Sequence, residues 1–366
     1  MSSLQKVSEY ERLVEKKFNL YNALFLSLPF QDIEHTGTLL PLFYQTCIDG
    51  FAANKNPNEI IDTFFKTHTT AQSEQAQIDF LFRIIQYVER QVVLFDSIED
   101  ATFTELNKLS DNYSIRAFLN IFKAEKEQDK VLQKLQDFSV RIVLTAHPTQ
   151  FYPLDVLNII LKLRSFITNN DIESADLVLQ QLALTSLLNA QKPTPLEEAK
   201  NIIHYLRYTY YDAIGSFYST LKKDLSNTGQ LHNPNLIKIG FWPGGDRDGN
   251  PFVTHQITKD VANELRMTLM KCYYKDIKAL ESHLTFPLVK EDLKQLRDKV
   301  YQSMFSSDFV INHTEILDYL HAIQVKIKTN YNKLYLEELN QLIDKVQIFK
   351  SHFASIDIRQ DHSVHL

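Results

Sequence analysis

The chain has 366 residues, enough for one large domain or two ordinary ones, and its 44% hydrophobic and 23% charged content suits a globular protein with a sizeable core. A net charge of −6 and a pI near 6.1 argue against a nucleic-acid-binding face and toward small-molecule or protein partners. The two cysteines, Cys47 and Cys272, stand far apart without a CxxC pair, which sets aside a disulfide framework and a cysteine zinc site.

In chain order, the amino-terminal stretch MSSLQKVSEYERLVEKKFNL carries charge throughout and has no apolar core of signal-peptide type. No apolar run approaches the roughly 18 residues that span a bilayer. These features lead us to expect a cytoplasmic, unprocessed protein that makes no membrane contact. Residues 1–139 read as helical.

The helical period first breaks at Val140–Leu144 (VRIVL), a β-branched run that reads as a strand and leads into TAHPTQ. His147 follows, and Pro148 biases it toward an extended backbone. Its imidazole is suited either to proton transfer in a cleft or to a structural hydrogen bond at a strand end. Further on, QKPTPLEEAK carries a helix start, with Thr194 as N-cap, Pro195 at the first helical position and Glu197 closing a capping box.

A second strand is expected at Leu236–Trp242 (LIKIGFW). Four of the eight glycines (Gly240, Gly244, Gly245 and Gly249) and the only tryptophan, Trp242, lie within Ile237–Thr254. Adjacent Gly244 and Gly245 permit close backbone approach or positive φ. Asp246 and Asp248 flank Arg247, an order that would fix the arginine's fork for a carboxylate or phosphate; a purely structural turn is the alternative. A calcium loop is excluded, because Pro251 stands where an EF-hand needs glycine.

Val261, Leu265, Leu269, Cys272 and Leu280 then line one face of a helix. The third strand, Ser355–Gln360 (SIDIRQ), carries Arg359, which either binds phosphate or pairs internally with Asp357 two residues earlier on the same face. His362 and His365 are spaced for a shared metal, but no third ligand is near.

The strands begin 97 and 119 residues apart (Val140, Ile237, Ile356), several times a plain βαβ unit of roughly 30 residues, so several helices intervene each time. Strands so separated pair in parallel or belong to separate sheets, and in barrels of parallel strands chemistry collects at the carboxyl ends. TAHPTQ, PGGDRDGNP and RQDHSVH all fall at such ends.

VLTAHPT and GGDRDGNPFVT, with KPTPLEEA and DIRQ in the same order, closely resemble segments from the amino-terminal half of phosphoenolpyruvate carboxylases. The resemblance implies a predominantly α-helical chain holding the first three strands of a helix-supplemented (β/α)8 TIM-type barrel. It also implies a reaction of phosphoenolpyruvate with bicarbonate to give oxaloacetate and phosphate with Mg2+ or Mn2+. His147 then matches the histidine that handles the proton of carboxyphosphate, and Arg359 an arginine on the substrate phosphate. Arg247 borders the same site, and the loop of Gly244, Gly245, Asp246 and Asp248 closes over the barrel mouth as an anion loop. Gln150 and the following FYPLD depart from the acidic and basic residues that the family has there.

By the same resemblance the metal-ligand carboxylates belong to a carboxyl-terminal half, and no metal site is expected in these residues. The chain is then a single amino-terminal portion, helical over 1–139 and a partial barrel over 140–366, inactive alone. The complete enzyme is implied to be a homo-oligomer, a tetramer by family resemblance. Two other readings remain open. One is a non-catalytic helical relative acting as a binding or scaffold protein, the other a phosphate-ester hydrolase using the same loop. Retention of His147, Arg247 and Arg359 together favours the carboxylase.

Overall fold

The structure is a computed structural model, and it describes residues 3–28, 31–71, 73–106, 114–124, 127–145, 152–187, 193–248, 250–305 and 309–362. Helices α1 (Ser3–Leu26), α2 (Gln31–Ala52), α3 (Pro57–His68) and α4 (Glu74–Leu106) come first, then α5 (Ile115–Ala124), α6 (Gln128–Asp137) and strand β1 (Val140–Leu144). Next are α7 (Leu154–Asn169), α8 (Ile172–Leu184), α9 (Pro195–Tyr205), a π-helical turn (Leu206–Tyr210), α10 (Tyr211–Leu225) and strand β2 (Ile237–Phe241). Helices α11 (His255–His283), α12 (Pro287–Phe305), α13 (His313–Asn330) and α14 (Leu336–Phe349) lead to strand β3 (Ser355–Ile356). The fold is therefore predominantly helical with a small parallel sheet, and the three strands described do not close a barrel. None of the described helices is long and apolar enough to cross a membrane.

Contacts divide the chain into two compact units, Met1–Ser110 with Tyr152–Ala190, and Asp111–Phe151 with Gln191–Leu366. In the first, α1, α4, α7 and α8 bury Tyr21, Phe25, Leu94, Ile98, Ile159 and Leu163 in one core. Arg90 on α4 donates to the carbonyls of Leu182 and Thr185 and so braces the carboxyl end of α8. A satellite core of Phe64, Phe65, Phe80 and Ile84 joins α3 to α4.

The second unit contains the sheet. Helix α9 starts as expected: the Thr194 side chain accepts from Glu197 N, the Glu197 carboxylate accepts from Thr194 N at 2.7 Å, and Pro195 opens the helix. The face predicted on α11 is buried, with Val261, Leu265, Leu269, Cys272 and Leu280 all in the core. Lys345 from α14 reaches into this packing and pairs with Asp212 at 2.8 Å and Asp276 at 2.9 Å. Burial works against its charge, but the two carboxylates outweigh it and raise its pKa.

The sheet has order β1-β2-β3, all parallel, with Val140 opposite Ile237 and Phe241 opposite Ile356. Alternation puts Leu144, Ile237, Ile239, Phe241 and Ile356 on one face, and these pack on the helical core. The other face carries Arg141, Val143, Lys238, Gly240, Ser355 and Asp357. Arg141 of β1 donates across β2 to the Asp357 carboxylate. Gly240 leaves room for this reach, since a Cβ there would lie 3.0 Å from the guanidinium and press it slightly aside.

Candidate functional site

The carboxyl ends of β2 and β3 meet at the loop that follows Phe241. The chain turns at Trp242, whose carbonyl accepts from Gly245 N at 2.8 Å and Asp246 N at 3.0 Å. Gly244 takes φ +78°, a conformation that favours glycine, and a Cβ there would press into Val261 of α11. Thr258 locks the turn by donating to Gly244 O at 2.8 Å while accepting from the Arg247 guanidinium at 3.1 Å.

This turn interrupts the third strand expected over Ser355–Gln360. Asp357 N donates to Phe241 O, but the next bond from this strand, Arg359 N, goes to Gly245 O at 3.0 Å, beyond the turn. The ladder therefore breaks after Ile356 and resumes as a parallel bridge between Asp246 and Arg359, with Arg247 N donating to Arg359 O at 2.9 Å. Gly245 serves this splice. A Cβ there would lie 2.4 Å from the Asp357 carbonyl, so the close approach that glycine allows is to the neighbouring backbone.

The side chains sort themselves differently from the expected pattern. Asp246 and Asp248, which flank Arg247 in sequence, both face Arg359, at 3.3 and 3.5 Å. Arg359 also lies over the Trp242 ring, 4.7 Å from its centre, so its fork is oriented by two carboxylates and an aromatic face. With Arg359 44% exposed, these pairs are partly solvated and set geometry more than stability. The internal pair of Arg359 with Asp357 is not formed, because Asp357 is taken by Arg141 from the opposite edge of the sheet. Arg247 instead points toward α11, and its Nε is buried without a hydrogen-bond partner among the described residues.

The structure thus brings together Gly244, Gly245, Asp246, Arg247, Asp248 and Arg359, which lie up to 115 residues apart in the sequence. His147, Gln150, Gly249 and His365 fall outside the described residues. His362 is solvent-exposed beside Asp361, at 3.7 Å. Sequence reasoning missed Trp242 and Thr258 as the groups that hold the two arginines, and Arg141 as the partner of Asp357. Strand parity was a usable signal for the last, since Arg141 and Asp357 occupy polar positions in otherwise apolar runs.

No group of three or more His, Cys, Asp or Glu side chains placed to hold a metal occurs among the described residues. Asp246 and Asp248 are both turned to the Arg359 guanidinium, and Asn250 accepts from Phe252 N, so this loop is not a cation cradle. The described residues do not fit a divalent metal by themselves.

The family model for phosphoenolpyruvate carboxylase matches residues 69–311. The chain is 30% identical over 269 residues to a phosphoenolpyruvate carboxylase of Phaseolus vulgaris, a match covering 69% of this chain and 27% of that protein. It is 26% identical over 309 residues to one from Aliivibrio salmonicida, covering 73% and 34%. A third, from Shewanella loihica, is 31% identical over 191 residues, covering 48% and 22%. The matched parts make up about a quarter to a third of those relatives' lengths. With its strand-end glycine loop inside the matched span, this chain belongs to the phosphoenolpyruvate carboxylase family.

Proposed function

We propose that this chain forms the amino-terminal portion of an enzyme that carboxylates phosphoenolpyruvate with bicarbonate, giving oxaloacetate and phosphate. The observation that carries the reading is the splice of the loop to the third strand, which joins Arg247 and Arg359 through one backbone hydrogen bond at the carboxyl end of a parallel sheet. A guanidinium oriented by Asp246, Asp248 and Trp242 keeps further N–H donors for a phosphate oxygen. The unpartnered Nε of Arg247 is the kind of buried donor that an anionic ligand satisfies. His147, on the segment entered from the carboxyl end of β1, takes the proton of carboxyphosphate in this reading. The loop excludes water, so that the pyruvate enolate meets CO2 rather than a proton.

The polar sheet face supports a barrel. An Arg141 to Asp357 pair crossing three strands beside Gly240 and Lys238 suits the inside of a parallel barrel, with the helical core outside. Three strands cannot close one, so further strands come from outside the described residues, and with them the carboxylates for Mg2+ or Mn2+. In this proposal the complete enzyme is a cytoplasmic homo-oligomer. The 366-residue chain alone, given phosphoenolpyruvate, bicarbonate and Mg2+, is expected to release neither oxaloacetate nor phosphate; turnover at an ordinary enzymatic rate would refute the partial-site reading.

Arg359→Lys, made in a protein with the full span of the relatives, tests the anion site. A point charge cannot reproduce a bidentate contact, so the loss is about 1.5–3 kcal/mol, or about 10- to 150-fold in the Michaelis constant for phosphoenolpyruvate. An unchanged Michaelis constant and turnover number would reduce Arg359 to a clasp for the loop.

A further inference from the structure

On the surface of the second unit, a cleft of about 500 Å³ opens between α11, the π-helical turn and the end of α12, away from the glycine loop. Lys271, Lys275 and Lys278 line it from α11, a spacing that puts all three ammonium groups on one helix face. Arg207 closes it from the π-helical turn, held over the Tyr208 ring at 5.0 Å. Tyr274 and Phe305 supply an aromatic side, extended by Tyr301, whose ring lies 5.7 Å from Tyr274 and 5.0 Å from Phe305.

None of these four cations has a carboxylate partner among the described residues. Several other lysines of the same unit do pair with carboxylates, among them Lys222 with Asp344 at 2.6 Å, Lys299 with Glu315 at 2.6 Å and Lys345 with two aspartates. In a chain of net charge −6, four unpaired cations around one cleft repel one another and raise the cost of folding there. A π-helical turn within a long helix is a second departure from the least costly local structure, and such turns recur at functional sites. Both costs are offset if the cleft binds something strongly negative. Its volume falls in the range of small-ligand sites, about 300–1,000 Å³.

We infer that this cleft is a binding site for a small organic polyphosphate carrying a planar ring, with the phosphates on Arg207, Lys271, Lys275 and Lys278 and the ring against Phe305 and Tyr301. Ammonium groups act as point charges for phosphate, and an aromatic face stacks a planar ring. The site is independent of the carboxylation reading, because none of its residues belongs to the glycine loop or its partners.

Calorimetric titration of the full 366-residue chain at fixed salt, without divalent metal, uses two probes: ATP, and tripolyphosphate as the ringless control. Saturable one-site binding of both is expected, with ATP tighter. Lys275→Glu combined with Lys278→Glu changes two exposed side chains and is expected to weaken both probes about tenfold or more. Phe305→Ala is expected to weaken ATP alone. Lys130→Glu with Lys134→Glu makes the same charge change on α6, beside Thr228 and about 30 Å along α10 from Arg207, and is expected to leave binding intact. Far-ultraviolet circular dichroism confirms that each variant is folded. Absence of saturable binding, or equal losses in the α11 and α6 double variants, would overturn the site. Competition by phosphoenolpyruvate would overturn its independence from the glycine loop.

Discussion

His147→Asn, in a protein with the full span of the relatives, is expected to lower oxaloacetate formation by about 10²- to 10⁴-fold, the usual contribution of a positioned acid–base group. Bicarbonate-dependent breakdown of phosphoenolpyruvate to pyruvate and phosphate should remain measurable. The two outcomes separate because the residue is assigned to one step. In the proposed reaction, attack of bicarbonate on phosphorus requires the substrate's phosphate to be held, the role proposed for the arginines at the loop, whereas release of CO2 from carboxyphosphate requires its proton to be taken. Asparagine is close to imidazole in reach but does not titrate near neutrality. The measurement is a paired assay of oxaloacetate and phosphate from one reaction. Normal carboxylation by this variant would remove His147 from the mechanism; loss of both products would move its role to substrate binding.

The second large effect is on the splice itself. Gly245→Ala introduces a Cβ that would lie 2.4 Å from the Asp357 carbonyl and 2.6 Å from the Ile356 side chain. The nearest obstacle is backbone, so the two segments must separate. The bonds from Arg359 N to Gly245 O and from Arg247 N to Arg359 O would lengthen with them. Overpacking costs about 1–3 kcal/mol and each strained hydrogen bond about 1, so a loss of about 2–4 kcal/mol is expected in urea unfolding. Gly240→Ala is the control. Its Cβ would meet the Arg141 guanidinium at 3.0 Å, and the end of a long side chain can move aside, so less than about 1 kcal/mol is expected. Equal losses at the two positions would mean that the loop is not held by this backbone approach.

Much of this molecule was legible in local sequence. The capping box at Thr194 and Glu197 depends on residues three apart, and the buried face of α11 on a 3.6-residue period, so both needed only neighbouring residues. The same holds for β1 and β2, whose apolar alternation stands out in a chain poor in such runs. The third strand was legible only in part. Its sequence alternates through Gln360, yet pairing breaks after Ile356, because the turn at Trp242 lies in the partner strand and nothing in SIDIRQ records it.

The residue types of the site were likewise fixed by sequence, along with the family that the glycine loop indicates. The pairing of their charges was settled only by the tertiary structure. Asp246 and Asp248 sit beside Arg247 in the chain, but side chains at successive positions of an extended segment point to opposite sides, so adjacency in sequence separates them. The Asp246 to Arg359 bridge then turns both carboxylates toward Arg359, while Arg141, from the far edge of the sheet, occupies Asp357. Ion pairs form between groups close in space, and in a parallel sheet with long helical crossovers the nearest partner lies about a hundred residues or more away in the chain.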